Sequence, residues 1–296
     1  MRIVDFEQNT KKWNVWRNNG IGASDVPVIM QTNTYKTPLM LWNEKMGFAF
    51  EEAENDAMLY GKINEPKARE WLKGHLNAEL EPICVEEYEN SPFRASLDCW
   101  CLKTRLLIEI KCPTSEKTIE KAKDGIFDND AWYDQIQTQI MITNSKKAFL
   151  AIWDNINKCC YLHEIKKDEK RIEQIKEKGN EFWHLVQIGK APDPLSKDYI
   201  CIEDEELKDL IEKYKEYDEK EKDNKKKKNE IKKEIIEFGD GGSFIAYDMK
   251  ATYMPPRVSY DMEKMREDGI NIDKYKKTSG VWYYNLRVSN SKLFKY

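Results

Sequence analysis

Between Ser96 and Pro113 the chain reads SLDCWCLKTRLLIEIKCP, two short apolar runs separated by a polar break at Lys103 and Thr104. The pattern predicts two strands, with Asp98 on the first and Glu109 and Lys111 on the second. Successive side chains on a strand point to opposite faces. Glu109 and Lys111 therefore share one face, while Leu107, Ile108 and Ile110 supply buried packing. If the strands pair as a hairpin, Asp98 lies opposite Glu109. Two carboxylates converging with a lysine cost repulsion and desolvation unless a hard divalent cation joins them.

That arrangement suits phosphodiester hydrolysis. The carboxylates hold the metal, the metal polarises a phosphoryl oxygen and lowers the pKa of a bound water, and the lysine positions that water or steadies developing charge. An acid and a lysine two apart on a strand also occur as an ordinary solvated pair, so supporting residues are needed elsewhere in the chain.

A length of 296 residues allows one large domain with an appendage, or two domains. Hydrophobic residues make up 40% and charged residues 34%, the balance of a soluble globular protein with a charged surface. No apolar run is long enough to span a bilayer, and MRIVDFEQNTKKW lacks a signal-peptide core, so a cytoplasmic location without a membrane partner is expected. The seven cysteines are irregularly spaced, a poor disulfide framework. Cys84, Cys99, Cys101 and Cys112 cluster near the proposed site, yet no CxxC occurs, and small buried core residues are expected. The net charge of −4 falls entirely within the first 202 residues and does not by itself announce a nucleic-acid protein. Metal-binding carboxylates account for part of it.

Upstream, WNVWRNNGIGASD at residues 13–25 passes into a glycine-marked turn. Ser24 or Asp25 could cap the helix that follows, or Arg17 and Ser24 could form an anion site at its start. Helices are predicted over Thr37–Gly47 and over Glu54–Leu76, the second with Met58, Leu59, Ile63, Ala68, Trp71, Leu72 and Leu76 as its apolar side and interruptions at Gly61 and Pro66. Glu65 beside Pro66 is a solvated helix residue unless another acid lies near. Downstream, AWYDQIQTQIMIT at residues 131–143 predicts a helix with Gln135 and Gln139 on one face, either a polar surface or, through Gln135, a group that orients water or phosphate. A mixed sheet with helices on both faces, an α/β core, follows from this order of elements. The boundary is expected near Asp198, after APDP. Glu203–Phe238 then reads as a helical hairpin or one long exposed helix, and strands at Ser243–Tyr253 and Val281–Val288 flank a charged helical segment, Tyr260–Gly269, in a small α+β module. The expected domains are thus 1–198, 199–239 and 240–296.

Five motifs in order carry a resemblance: RNNGIGASD (Arg17–Asp25), YGKINE (Tyr60–Glu65), SLD (Ser96–Asp98), EIKCP (Glu109–Pro113) and YDQIQ (Tyr133–Gln137). Over its first 190 or so positions the chain resembles the YqaJ-like viral recombinase family, to which phage lambda exonuclease belongs. The resemblance implies a PD-(D/E)xK, restriction-endonuclease-like core. It also implies a Mg²⁺-dependent nuclease, with Mn²⁺ able to substitute, that digests linear double-stranded DNA from 5′ ends. Such an enzyme leaves a 3′ single strand for an annealing protein. By the same resemblance Asp98 and Glu109 correspond to metal ligands, Lys111 to the residue that positions the water, and Glu65 and Gln135 to supporting groups, Glu65 also at the metal. Arg17 and Ser24 correspond to the 5′-phosphate pocket, with Ser96 and Lys117 contributing, and family members form ring-shaped trimers. The chain departs from the family pattern at Leu97, where proline is often found, and at Cys99, where glycine is common; the tail after Asp198 lies outside the nuclease core. Two alternatives stay open: an endonuclease of the same fold whose tail aids DNA recognition, and a non-enzymatic binder of DNA ends.

Overall fold

Side chains just outside the helices decide where several of them begin. The computed structural model describes residues 1–48, 55–88, 91–219, 225–255, 257–260, 276–279 and 283–288. It divides into two units, Met1–His184 and Leu185–Tyr296. The first unit opens with strand β1 (Arg2–Val4), helix α1 (Lys11–Asn18), the short strand β2 (Ile21–Gly22) and helices α2 (Val26–Ile29), α3 (Pro38–Met46) and α4 (Asp56–Leu76). The side chains of Thr10, Thr37 and Asn55 accept from the N–H groups of Trp13, Met40 and Met58, donors that no carbonyl within the helix reaches. Pro38 begins α3, and Gly47 ends it at φ 72°, a left-handed turn that glycine adopts without a Cβ clash.

Helix α4 runs unbroken through Gly61 and Pro66, against the expected interruption. Ala68 and Leu72 are fully buried against the sheet, and that packing offsets the roughly 3 kcal/mol that an interior proline costs. Its first half departs from expectation too: Met58, Leu59 and Ile63 are exposed, and only the later apolar positions reach the core.

Strands β3 (Glu81–Glu86), β4 (Phe93–Cys101) and β5 (Leu106–Lys111) follow, then helices α5 (Glu116–Lys123) and α6 (Asp130–Thr143), strands β6 (Lys147–Asp154) and β7 (Cys159–Glu164), and helix α7 (Glu169–Gln187). The sheet runs β1-β3-β4-β5-β6-β7, with β2 beside β4. The β2–β4 and β5–β6 pairs are parallel and the others antiparallel, the mixed sheet expected from the order of elements. One face packs Cys99, Cys101, Ile108, Ile110, Ala151 and Trp153 against Ala68 and Leu72 of α4. The alternate residues of β5 face the other way, toward α6. Of the four clustered cysteines Cys84, Cys99 and Cys101 are buried as expected, while Cys112 is only half-buried, and burial pushes the Cys99 thiol up to about 12.

The second unit contains strand β8 (Ile200–Cys201), helices α8 (Glu205–Glu219) and α9 (Lys225–Glu237), and strands β9 (Phe244–Ala246), β10 (Met249–Met254), β11 (Arg257–Tyr260), β12 (Lys276–Ser279) and β13 (Tyr283–Val288). Four strands form one sheet, β13-β10-β9-β8, while β11 and β12 pair separately. Leu207, Ile211 and Tyr214 of α8, Ile235 of α9, and Phe244 and Met249 of the sheet share one apolar cluster. The stretch predicted as a single strand over Ser243–Tyr253 is two strands, β9 and β10, turned at Tyr247 with φ 53°. Beyond Tyr260, the predicted helical segment to Gly269 lies outside the described residues. No helix of the described residues is long and apolar enough to cross a membrane.

Candidate active site

Strands β4 and β5 pair with Cys99 opposite Ile108, the register that sets Asp98 opposite Glu109. The ladder ends at Cys99 and Ile108. Two positions further along β5, the backbone N–H of Ile110 donates to Asp98 Oδ2 at 2.8 Å.

Glu109 is only 2% exposed, and a carboxyl group so deeply placed needs partners on both oxygens. Oε1 accepts from Lys111 Nζ at 2.7 Å and from Gln135 Nε2 at 2.6 Å, and Oε2 accepts from Gln139 Nε2 at 2.6 Å. Lys111 Nζ also donates to Gln135 Oε1 at 2.9 Å. One turn of α6 thus delivers two amides to a single carboxylate. Burial works against the Lys111 ammonium, but the Glu109, Asp98 and Glu65 carboxylates outweigh it and hold its pKa above the usual value. Burial, together with the charges of Glu109 and Glu65, pushes the Asp98 carboxyl well above the ordinary carboxylate range.

Glu65 approaches from α4. Its carboxylate pairs with Arg69 one turn on, and Arg69 Nε donates to the Asp98 carbonyl oxygen at 2.7 Å. Burial raises the Glu65 pKa despite Arg69. Glu65 and Arg69 line a neighbouring cleft, whereas Asp98 and Gln135 line the cavity described below.

Among the described residues no group of three or more His, Cys, Asp or Glu side chains is arranged to hold a metal ion. Mg²⁺ is commonly held by one or two carboxylates together with substrate phosphate oxygens, not by an all-protein cage. The donors here are carboxylate oxygens, and burial, with the Glu109 and Glu65 charges added to it, disfavours the Asp98 carboxylate, a cost that a cation relieves. The residues present fit a hard divalent ion on those grounds.

Arg17, at the end of α1, donates from Nη2 to Ser24 Oγ at 2.8 Å. One cavity is lined by Trp13, Arg17, Ser24, Ser96, Asp98 and Gln135 among others, joining four of the residues expected at a phosphate pocket or catalytic centre to Gln135. Trp13 donates its indole N–H to Ser96 Oγ at 2.7 Å, and the Arg17 guanidinium lies 5.2 Å from the centre of the Trp13 ring. Lys117 lies elsewhere: it lines an adjoining groove with Lys111, and Ser24 and Gln135 border both spaces.

Asp25 occupies the N-cap position of α2 but makes no side-chain cap hydrogen bond, contrary to one expectation from sequence. Its Oδ2 instead accepts from the Gly22 N–H at 2.9 Å and from Lys45 Nζ at 2.6 Å. Burial opposes ionisation, but Lys45 and Arg17 outweigh it and hold the Asp25 carboxyl below its usual range. Lys45 also donates to the Arg17 carbonyl oxygen at 3.3 Å, so a buried ion pair braces the turn that presents Arg17 and Ser24.

Residues 12–146 match the YqaJ-like viral recombinase domain. An uncharacterised protein, YqaJ of Bacillus subtilis, is 26% identical over 192 residues, covering 63% of this chain and 59% of its own length. An uncharacterised protein of Acanthamoeba polyphaga mimivirus is 27% identical over 157 residues, covering 48% of this chain and 28% of its own. The chain spans less than two thirds of either relative. Among solved structures, an alkaline exonuclease from Laribacter hongkongensis superposes with a TM-score of 0.52 at 23% identity, over 60% of this chain and 93% of that one. Its complex with dAMP gives 0.53 at 24% identity over the same shares. Over that shared part the fold is that of these structures.

Proposed function

We propose, from the match of residues 12–146 to the YqaJ-like viral recombinase domain, that the protein is a divalent-metal-dependent exonuclease, digesting linear double-stranded DNA from 5′-phosphorylated ends to leave 3′ single strands for recombination. The observation that carries this is the meeting of Asp98, Glu109, Lys111 and Gln135 beside the cavity of Arg17 and Ser24.

Asp98 and Glu109, with Glu65 freed from Arg69, would hold Mg²⁺ or Mn²⁺. A bound ion of this kind would supply Lewis acidity toward the phosphate and lower the pKa of a bound water. Lys111, kept charged by its acidic neighbours, orients the attacking water and steadies negative charge on the phosphoryl group. Gln135 fixes Lys111 and Glu109 relative to one another. Arg17 and Ser24 hold the terminal phosphate, with Ser96 at the same cavity, and each cut presents a new phosphorylated end to them. Lys117, on the adjoining groove, contacts the strand outside that pocket. A ring-shaped trimer and an annealing protein that takes the 3′ strand belong to the same proposal.

Labelled linear duplex carrying a 5′-phosphate or a 5′-hydroxyl, incubated with and without Mg²⁺, tests the proposal. The phosphorylated end is expected to be shortened faster, only with metal, and closed circular DNA to survive. Lys111→Ala is expected to lose about 10²–10⁴-fold in rate while still binding DNA. Nicking of the closed circle would favour an endonuclease, and undiminished cleavage by Lys111→Ala would remove the mechanism.

A further inference from the structure

Helix α1 begins with two lysines, Lys11 and Lys12, and has no acidic residue in its first turn. A helix N-terminus carries partial positive charge, so cations there cost stability where carboxylates would add it. Both side chains are exposed, and neither makes an ion pair among the described residues. Val15, one turn on from Lys11, is 59% exposed. An open cleft of about 500 Å³ lies here, lined by Phe6, Lys11, Lys12, Val15, Trp16 and Arg94 among others.

Arg94 is only 8% exposed. Its Nη1 donates to the Trp16 carbonyl oxygen, and its Nε finds no acceptor among the described residues. The carboxylates whose charge reaches it are committed elsewhere, Glu86 to Arg2 and the Trp16 indole, Asp25 to Lys45 and the Gly22 N–H. A Cβ at Gly20 would stand 2.2 Å from that Nε, so a larger residue there would displace the guanidinium. Among the described residues, three cations thus border the cleft and no carboxylate does. Between the charges the surface is apolar. The Trp16 ring is buried, stacked on Phe6 at 5.6 Å between ring centres and 5.4 Å from the Arg94 guanidinium, and it has no free face on which a nucleobase could stack. Carboxylates beside an aliphatic or aromatic side chain, as a short peptide presents them, match both parts of the surface.

We infer that this cleft docks an acidic peptide segment of a partner protein, its carboxylates against Lys11, Lys12 and Arg94 and an apolar side chain against Phe6 and Val15. The inference goes beyond the nuclease proposal and does not depend on it. Trp16 and Arg94 also line the cavity of Arg17 and Ser24, so the two spaces share a wall.

Fluorescence anisotropy with the full-length protein tests the inference. The probe is a labelled eight-residue peptide with two leucines between pairs of aspartates; one counterpart carries asparagine for aspartate, another serine for leucine. The acidic peptide is expected to bind saturably and to weaken with added salt, and each counterpart to bind about tenfold more weakly. Lys11→Glu, Lys12→Glu and Val15→Asp, all at exposed positions, are each expected to lose about tenfold in affinity for the acidic peptide with no fall in melting temperature. Val15→Asp is expected to bind metal-free duplex DNA as the wild type does. Absence of saturable binding, equal binding of the asparagine counterpart, or undiminished peptide binding by the three variants overturns the inference. Weaker duplex binding by all three variants, with the peptide unaffected, overturns it as well and assigns the face to DNA.

Discussion

Gln139 donates to Glu109 Oε2 at 2.6 Å, closing the one carboxylate oxygen that neither Lys111 nor Gln135 reaches. Gln139→Ala strips that oxygen of its donor inside a buried site. The expected cost is about 1–3 kcal/mol, read as a lower urea midpoint with an unchanged slope, together with reduced nuclease activity from a less firmly held Glu109. An unchanged midpoint would mean that water replaces the amide.

Metal affinity should depend on pH through Asp98. Its pKa is raised by burial and by Glu109 and Glu65, so a proton must leave as the ion enters. Divalent affinity is therefore expected to be weak in acid and to climb as pH rises through the raised pKa, with proton release visible as a buffer-dependent heat in calorimetry. In the metal-free protein the same shift makes stability fall as pH rises from the ordinary carboxylate range through the Asp98 pKa. Asp98→Asn is expected to abolish the metal response and that fall together; persistence of either would locate it in another group.

At the cavity proposed to hold the terminal phosphate, Arg17→Ala removes the guanidinium that donates to Ser24. A hydrogen bond from a charged donor contributes about 1.5–3 kcal/mol, so preference for a 5′-phosphate over a 5′-hydroxyl end is expected to drop by roughly ten- to a hundredfold. The rate on hydroxyl ends should barely move. Paired time courses on the two substrates give the ratio directly.

Asp154 supplies an acid-sensitive element away from the chemistry. Burial opposes its charge, but the backbone N–H and side-chain amide of Asn157 and the N–H of Ile156 bring its pKa down from 3.8 to about 2. A lowered folded-state pKa gives stability that is present above 3.8 and lost as pH falls toward 2. Asp154→Asn is expected to be less stable at neutral pH and to show a flatter acid limb between those values. Chemical denaturation at half-unit pH steps would measure it, and an acid limb matching the wild type would refute the assignment.

Much of the centre could be read in the sequence because it is local. Alternation along β5 placed Glu109 and Lys111 on one face, and the break at Lys103 and Thr104 implied the pairing that brings Asp98 across. Gln139 was visible only as a neighbour of Gln135, since spacing on a helix gives a shared face but not which carboxylate lies beyond it. Arg69, one turn from Glu65, carried the same kind of signal. Lys45 carried none: its partner Asp25 lies 20 residues earlier, and only packing of α3 against the turn brings them together. The exposure of Met58, Leu59 and Ile63 was hidden for a related reason, because helical periodicity marks an apolar side without marking where the sheet beneath it stops.

The ladder between β4 and β5 stops where the Asp98 carboxylate captures the Ile110 amide. The hairpin is a fork, and the proposed chemistry sits in its crotch. A slip of one residue in the pairing frame would turn Asp98 toward Ala68 and Leu72 and swing Cys99 round to the glutamines. No amino acid need change for such a molecule to lose its centre, so the frame of the hairpin is inherited along with the residues it aligns.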